Sequence, residues 1–271
     1  MSLIPAELEC ANFRIVKHLL ASFSVEQRAA TYGHLSVESL SVRAAGRIVL
    51  ADVSLEVAAG EVVALLGRDG AGKTICFEAI AGLTRATDGR IALNGLDISD
   101  LPSNHRALLG LGYLPEEVSI FRGLTAEENI LMALEQTVAD PAERAERLQR
   151  LLVDFDLGIV RRQSATSLSG GERRRCEVAR AMALNPTILL LDEPFRGLDP
   201  GSINSSKGMI RSLKNHNVGV LVSDYDLHDL LELTDRVYVL HEGRLIFSGN
   251  ANELLSDADM RQIFLGESFS L

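Results

Sequence analysis

Gly67-Arg68-Asp69-Gly70-Ala71-Gly72-Lys73-Thr74 matches the pattern G-x-x-x-x-G-K-[ST] at every fixed position. Glycines at this spacing let the backbone curl until successive N–H groups converge, with a helix N-terminus adding positive charge behind them. Such a bend binds phosphate oxygens. Lys73 would place a point charge on the outer phosphates, and Thr74 would offer its hydroxyl to a magnesium ion. Further on, the apolar run Ile188–Leu191 ends in Asp192-Glu193. An acid at the carboxyl end of a buried strand can reach a metal or its water, and a second acid beside it can orient or deprotonate that water. A third set, Leu168-Ser169-Gly170-Gly171-Glu172, puts small residues with free N–H groups ahead of a helix. This makes another anion site. The same residues read as a capping box, Ser169 at the N-cap and Glu172 at N3, and both readings hold together.

These groups need a scaffold, and the hydrophobic pattern predicts one. His34–Ser41 and Ile48–Val57 alternate, as antiparallel strands with one wet face do. Glu61–Gly67 is a continuous apolar run that predicts a strand buried on both faces, with a helix over about 72–83 after it. Asp88-Gly89 reads as a turn before a strand at Arg90–Leu93. Helical periodicity fills roughly 100–165, with Pro141 at a helix start. Thr187–Leu191 and Gly219–Ser223 suit central parallel strands, and Arg236–Ser248 reads as a hairpin turning at Glu242-Gly243. The expected class is α/β: a mostly parallel sheet, an antiparallel β edge subdomain and a helical insertion over about 105–180. Residues 34–271 form that domain. Residues 1–33 read as an N-terminal extension, either loosely docked or a surface anchor built on the basic amphipathic stretch Phe13–Phe23.

Composition narrows the partners. Among 271 residues, 27 Lys and Arg face 37 Asp and Glu, a formal net charge of -10. Such a chain gains nothing from counterion release on DNA or RNA, so no nucleic-acid partner is expected. No run of about 18 apolar residues is present to span a membrane. The three cysteines, Cys10, Cys76 and Cys176, lack metal spacing and fit a reducing, cytoplasmic setting.

With Pro194 and Gly197-Leu198-Asp199-Pro200 added, the order of these motifs resembles the ATP-binding-cassette family from about residue 34 onward. The resemblance implies a P-loop NTPase core that binds ATP and Mg²⁺, with Gly67–Thr74 on the phosphates, Thr74 and Asp192 on the metal, and Glu193 catalytic. It also implies that Ser169, Gly170 and Gly171 face the γ-phosphate held by a second subunit, so two chains, identical or paralogous, sandwich two ATP molecules. Gly110–Leu124, Leu168–Arg175, Leu189–Asp199 and Phe264–Leu271 resemble the ATPases of lipopolysaccharide export transporters; those of branched-chain amino acid transporters share much of this. Transmembrane permease subunits are then the expected partners, contacted near Phe121 and Arg122, with the chain peripheral on the cytoplasmic face of the inner membrane.

Three positions depart from that family. Ala44, with Ala45 beside it, stands where an aromatic usually stacks on adenine. Glu116, followed by Glu117, replaces the glutamine that serves Mg²⁺ and the attacking water. Tyr225 replaces the switch histidine, and His228 beyond it reads as solvated. Glu116 and Asp69 both add negative charge beside a triphosphate. Two unit charges at about 4 Å and an effective dielectric of about 20 interact by roughly 4 kcal/mol, so an extra cation or a raised pKa must offset Glu116. The expectation is retained ATP binding with reduced turnover, Glu193, Glu116 and Tyr225 being the catalytic candidates and Glu116 also a metal ligand. The alternative is a weakly hydrolysing regulatory subunit paired with a normal paralogue.

Overall fold

The computed structural model describes residues 33–224 and 230–265. Strand β1 (His34–Ala44) pairs antiparallel with β2 (Arg47–Ala58). Ala45 and Gly46 turn between them with φ of 48° and 79°, both positive as a type I′ turn requires. Alternation buries Leu35, Val37, Leu40 and Val42, slipping by one residue at a bulge around Ser39, whose φ is 49°. β3 (Val62–Leu66) is buried throughout and leads through the glycine-rich bend into α1 (Lys73–Ala81). β4 (Asp88–Leu93) and β5 (Leu96–Asp97) complete a four-stranded antiparallel sheet in the order β2-β1-β4-β5. Asp88-Gly89 is therefore strand, not turn: Asp88 pairs with Ser41. A Cβ on Gly89 would stand 2.6 Å from the Ser39 carbonyl oxygen, so close backbone approach explains the glycine.

Next come α2 (Ser103–Leu108), β6 (Leu111–Leu114), α3 (Ala126–Thr137), α4 (Pro141–Asp154) and α5 (Gly170–Met182). The chain then runs through β7 (Ile188–Asp192), α6 (Pro200–Asn215), β8 (Gly219–Ser223), the hairpin β9 (Arg236–His241) and β10 (Arg244–Gly249), and α7 (Ala251–Ser256). A six-stranded sheet orders these as β10-β9-β3-β8-β7-β6, parallel except for β10. β6 belongs to this core sheet, so the stretch 105–180, expected as one helical insertion, is crossed by a core strand at its start.

Strand period sorts the core into two halves. Val62, Ala64, Leu66, Leu189, Leu191, Val220 and Val222 face the cluster made with α3 to α6. Val63, Leu65, Ile188, Leu190 and Leu221 face α1 and the antiparallel sheet. α1 is thus clamped between the sheets, and its C-terminus is closed from behind. Arg106, 3% exposed, donates to the carbonyls of Ala79 and Ile80 at 2.8 and 2.6 Å, and to those of Leu101 and Ser99. These bonds satisfy end carbonyls that a helix leaves bare, while burial pulls the Arg106 pKa down to about 10.

Candidate functional site

β3 delivers the chain to the bend at residues 67–74. A Cβ on Gly67 would lie 2.6 Å from the Leu240 carbonyl oxygen, so only glycine lets the loop start against β9. Gly70 and Gly72 have φ of 79° and 108°, left-handed geometry that curls the loop before α1. The Ala71 N–H donates to the Arg68 carbonyl, and the Ala71 carbonyl accepts from the Gly243 N–H, each at 3.0 Å. The β9–β10 turn thereby braces the cradle. Lys73 is 5% exposed and donates to the Gly67 carbonyl at 2.9 Å, its Nζ 3.6 Å from Glu193 Oε1. Arg68, Asp69, Gly70 and Thr74 are exposed on the open side.

Asp192, at the end of β7, is fully buried, and its partner in register is Ser223 at the end of β8. The Ser223 hydroxyl donates to Asp192 Oδ1 at 2.6 Å and accepts from the Glu193 N–H at 3.2 Å. Asp192 Oδ2 is buried with no hydrogen-bond partner. A bare buried acceptor is destabilising by about 1–3 kcal/mol, and a hard cation or its water is the partner that would satisfy it. With the exposed Thr74 hydroxyl, these oxygens fit Mg²⁺, which takes one or two protein ligands and the rest from phosphate and water. Among the described residues no group of three or more His, Cys, Asp or Glu forms a protein-only metal cage.

Glu193 leaves the strand at φ 44°, a strained value for a side-chain-bearing residue. That turn brings its Oε1 towards Lys73 and its Oε2 to Arg196 Nη1, which donates at 2.9 Å. The same Nη1 lies 2.7 Å from Glu116 Oε1. Glu193 first and Glu116 next push the Arg196 pKa up. Glu116, expected as a metal ligand, is thus paired with a cation. Arg174 binds the neighbouring segments together, donating to the carbonyls of Pro115 and Asp192 at 3.1 and 3.3 Å and to Glu177 at 3.2 Å.

The sequence Ser169-Gly170-Gly171 begins α5 and is exposed at Ser169 and Gly170. Ser169 and Glu172 form the expected capping box. Hydrogen bonds from the Ser169 backbone and hydroxyl hold the Glu172 pKa below its ordinary value. Gly171 packs so closely on Ser202 of α6 that a Cβ would stand 2.9 Å from its hydroxyl. Asp199 caps α6, accepting from Ser202 Oγ at 2.6 Å, and its pKa is lowered by that bond. Among the described residues no hydrogen bond or ion pair joins Ser169, Gly170 or Gly171 to the cradle.

Phe121 and Arg122, both exposed, line two different hollows. Phe121, 47% exposed, lines a hollow of about 420 Å³ with Tyr113, Met132, Ala133, Arg180 and Leu184. The Arg180 guanidinium lies over its ring at 4.8 Å. Arg122 lines a separate hollow of about 220 Å³ with Val118, Ile120 and Arg173. Ala44 and Ala45 are exposed and offer no ring. Cys76 and Cys176 are buried, and burial pushes both thiols up to about 12. Tyr225, His228, Cys10, the stretch Phe13–Phe23 and residues 266–271 lie outside the described residues.

Sequence reasoning missed Ser223, Arg196 and Arg174. Ser223 had a signal, a hydroxyl at the end of a neighbouring buried strand. Arg196 had one too: a long cation between Glu193 and the Gly197-Leu198-Asp199 turn.

The family described as ABC transporter matches residues 50–196. A probable ABC transporter ATP-binding protein of Azorhizobium caulinodans is 45% identical over 245 residues, covering 90% of this chain and 87% of that protein. The lipopolysaccharide export system ATP-binding protein LptB of Acidithiobacillus ferridurans is 44% identical over 237 residues, covering 88% of this chain and 98% of that one. Among solved structures, an ATP binding subunit of an ABC transporter superposes with a TM-score of 0.73 at 31% identity, covering 84% of this chain and 94% of that chain. Among the described residues no helix is long and apolar enough to cross a membrane.

Proposed function

Because the chain belongs to the ABC transporter family and is one of its ATPases, we propose that it powers lipopolysaccharide export as a peripheral subunit on the cytoplasmic face of the inner membrane. Support for the cargo is the 44% identity to the A. ferridurans export protein over 88% of this chain and 98% of that one. The observation that carries the chemistry is Lys73, held by the Gly67 carbonyl beside the Asp192-Glu193 pair at the mouth of the cradle.

The bend at Gly67–Thr74 receives the phosphates of ATP on converging N–H groups, and Lys73 neutralises the outer ones. Thr74 and Asp192 would hold Mg²⁺, which when bound shields phosphate charge. Glu193 is placed to orient and deprotonate a water; Ser223 fixes its backbone, and Lys73 and Arg196 hold its carboxylate. Ser169, Gly170 and Gly171 present a helix N-terminus outward to the γ-phosphate on a second copy or a paralogue. The hollow walled by Phe121, Tyr113 and Arg180 receives a helix of the permease.

A second reading, a weakly hydrolysing regulatory subunit, is favoured by one observation: Glu116, in place of a neutral residue, draws on the same Arg196 that holds Glu193. Affinity purification of the full chain from detergent-solubilised membranes, with identification of partners and measurement of ATP turnover, tests both. Two permease chains that bind lipopolysaccharide, with sustained turnover, support export. Amino acid permeases would overturn the cargo, and a catalytically active paralogue with negligible turnover by this chain would favour regulation.

A further inference from the structure

We propose that Arg196 and Glu116 act as one charge-compensated unit that positions Glu193 and sets the affinity of the cradle for nucleotide. This rests on reading the cradle as an ATP site.

Three chain segments meet at one nitrogen. Glu116 follows β6, Glu193 follows β7, and Arg196 lies in the turn before α6. Arg196 Nη1 is 2.7 Å from Glu116 Oε1 and 2.9 Å from Glu193 Oε2, while Lys73 stands 3.6 Å from the other oxygen of Glu193. The Glu193 carboxylate is thereby strung between two cations, which fixes its direction. Asp69, Glu116, Asp192 and Glu193 all stand around a cradle built for a polyanion, and the structure pairs Lys73 and Arg196 with two of them. A carboxylate at 116 without Arg196 would face both Glu193 and the incoming phosphates, a repulsion that partial exposure only partly screens.

The two residues are therefore interdependent. Arg196 is needed because position 116 is acidic, and an acid is tolerated at 116 because Arg196 is present. Arg196 is a positioning residue: it touches Glu193, not the reacting atoms. At 57% side-chain exposure its removal leaves no cavity, so the variants fold.

The test is a double-mutant cycle on the full chain, read by equilibrium binding of a fluorescent N-methylanthraniloyl ATP with and without Mg²⁺. Arg196→Ala weakens binding by about tenfold or more, the scale of one partly screened charge contact near a surface. Glu116→Gln alone tightens it, because a carboxylate facing the phosphates is gone while Arg196 remains, and the double variant Arg196→Ala/Glu116→Gln returns to within about threefold of the parent, because neighbouring groups are non-additive. The Arg196→Ala defect also shrinks as salt rises from about 0.05 to 0.5 M. Equal weakening in the single and double variants, or a defect indifferent to salt, overturns the proposal. Absence of binding by the parent chain would instead overturn the ATP site itself.

Discussion

The two ends of this molecule proposed to bind phosphate are built in opposite ways. At the cradle, Lys73, Asp192, Glu193 and Ser223 are each under a tenth exposed and are bonded to one another across β3, β7 and β8. At the start of α5, Ser169 and Gly170 are exposed and, among the described residues, bonded only within their own helix turn. The first is a finished half-site whose charges are fixed before a ligand arrives. The second is a finished helix terminus with its N-terminal dipole facing outward, which under the proposed function completes a site on another chain's phosphate. Burial gives one end preorganisation, and exposure gives the other access.

The largest test of that contrast is Glu193→Gln. Losing a positioned base lowers turnover by about 10²–10⁴-fold, while the bend, Lys73 and Arg196 all remain and ATP still binds; phosphate release and nucleotide binding measured on one preparation separate the two. Complementation comes next. Lys73→Ala breaks the buried half and Ser169→Arg blocks the exposed half, so each chain alone is inactive as a dimer. Random mixing creates one intact composite site in half of the dimers and restores about a quarter of parental activity. A mixture as dead as its components would place both halves of each site in a single chain and end the comparison.

What the sequence made legible follows the same division. The cradle could be read letter by letter because its glycines answer local backbone needs and its strand is an unbroken apolar run. The capping box at Ser169 and Glu172 is local too, and it forms as expected. Contacts between distant segments were not legible. Glu116 and Arg196 meet only because β6 and β7 run side by side in register, and β6 itself, Leu-Gly-Tyr-Leu, is too short to stand out from the helical stretch around it. Ser223 reaches Asp192 through the same kind of parallel register. Asp88-Gly89 reads as a turn because a glycine at φ 97° pressed against a neighbouring carbonyl looks, in one dimension, like a glycine that reverses the chain.

Paired serine truncations sharpen the comparison at smaller scale. Ser223→Ala strips a buried carboxylate of its donor and a buried N–H of its acceptor, so denaturant unfolding should show a loss of about 2–3 kcal/mol. Ser169→Ala removes one exposed cap, worth about 1 kcal/mol. Equal losses would mean that burial adds nothing to the cradle's hydrogen bonds.

The smallest effect concerns Glu172, whose carboxyl is held below its ordinary value of 4.5 by bonds from Ser169, with Arg175 adding a lesser attraction. A carboxyl with a lowered folded-state pKa adds stability above its unfolded value, and that contribution disappears as pH falls through the folded one. Glutamine at the same place still reaches back to the N-cap N–H, so Glu172→Gln removes the charge and keeps the box. At pH 7 the variant should melt slightly below the parent, by the few tenths of a kcal/mol that a charge at a helix N-terminus contributes. Thermal melts taken downward in pH should bring the two curves together once the pH has fallen through the lowered folded-state value, where the parent's carboxyl is protonated as well. A gap that persists into acid would mean that Glu172 stabilises α5 by shape alone, and the exposed half-site would owe nothing to its charge.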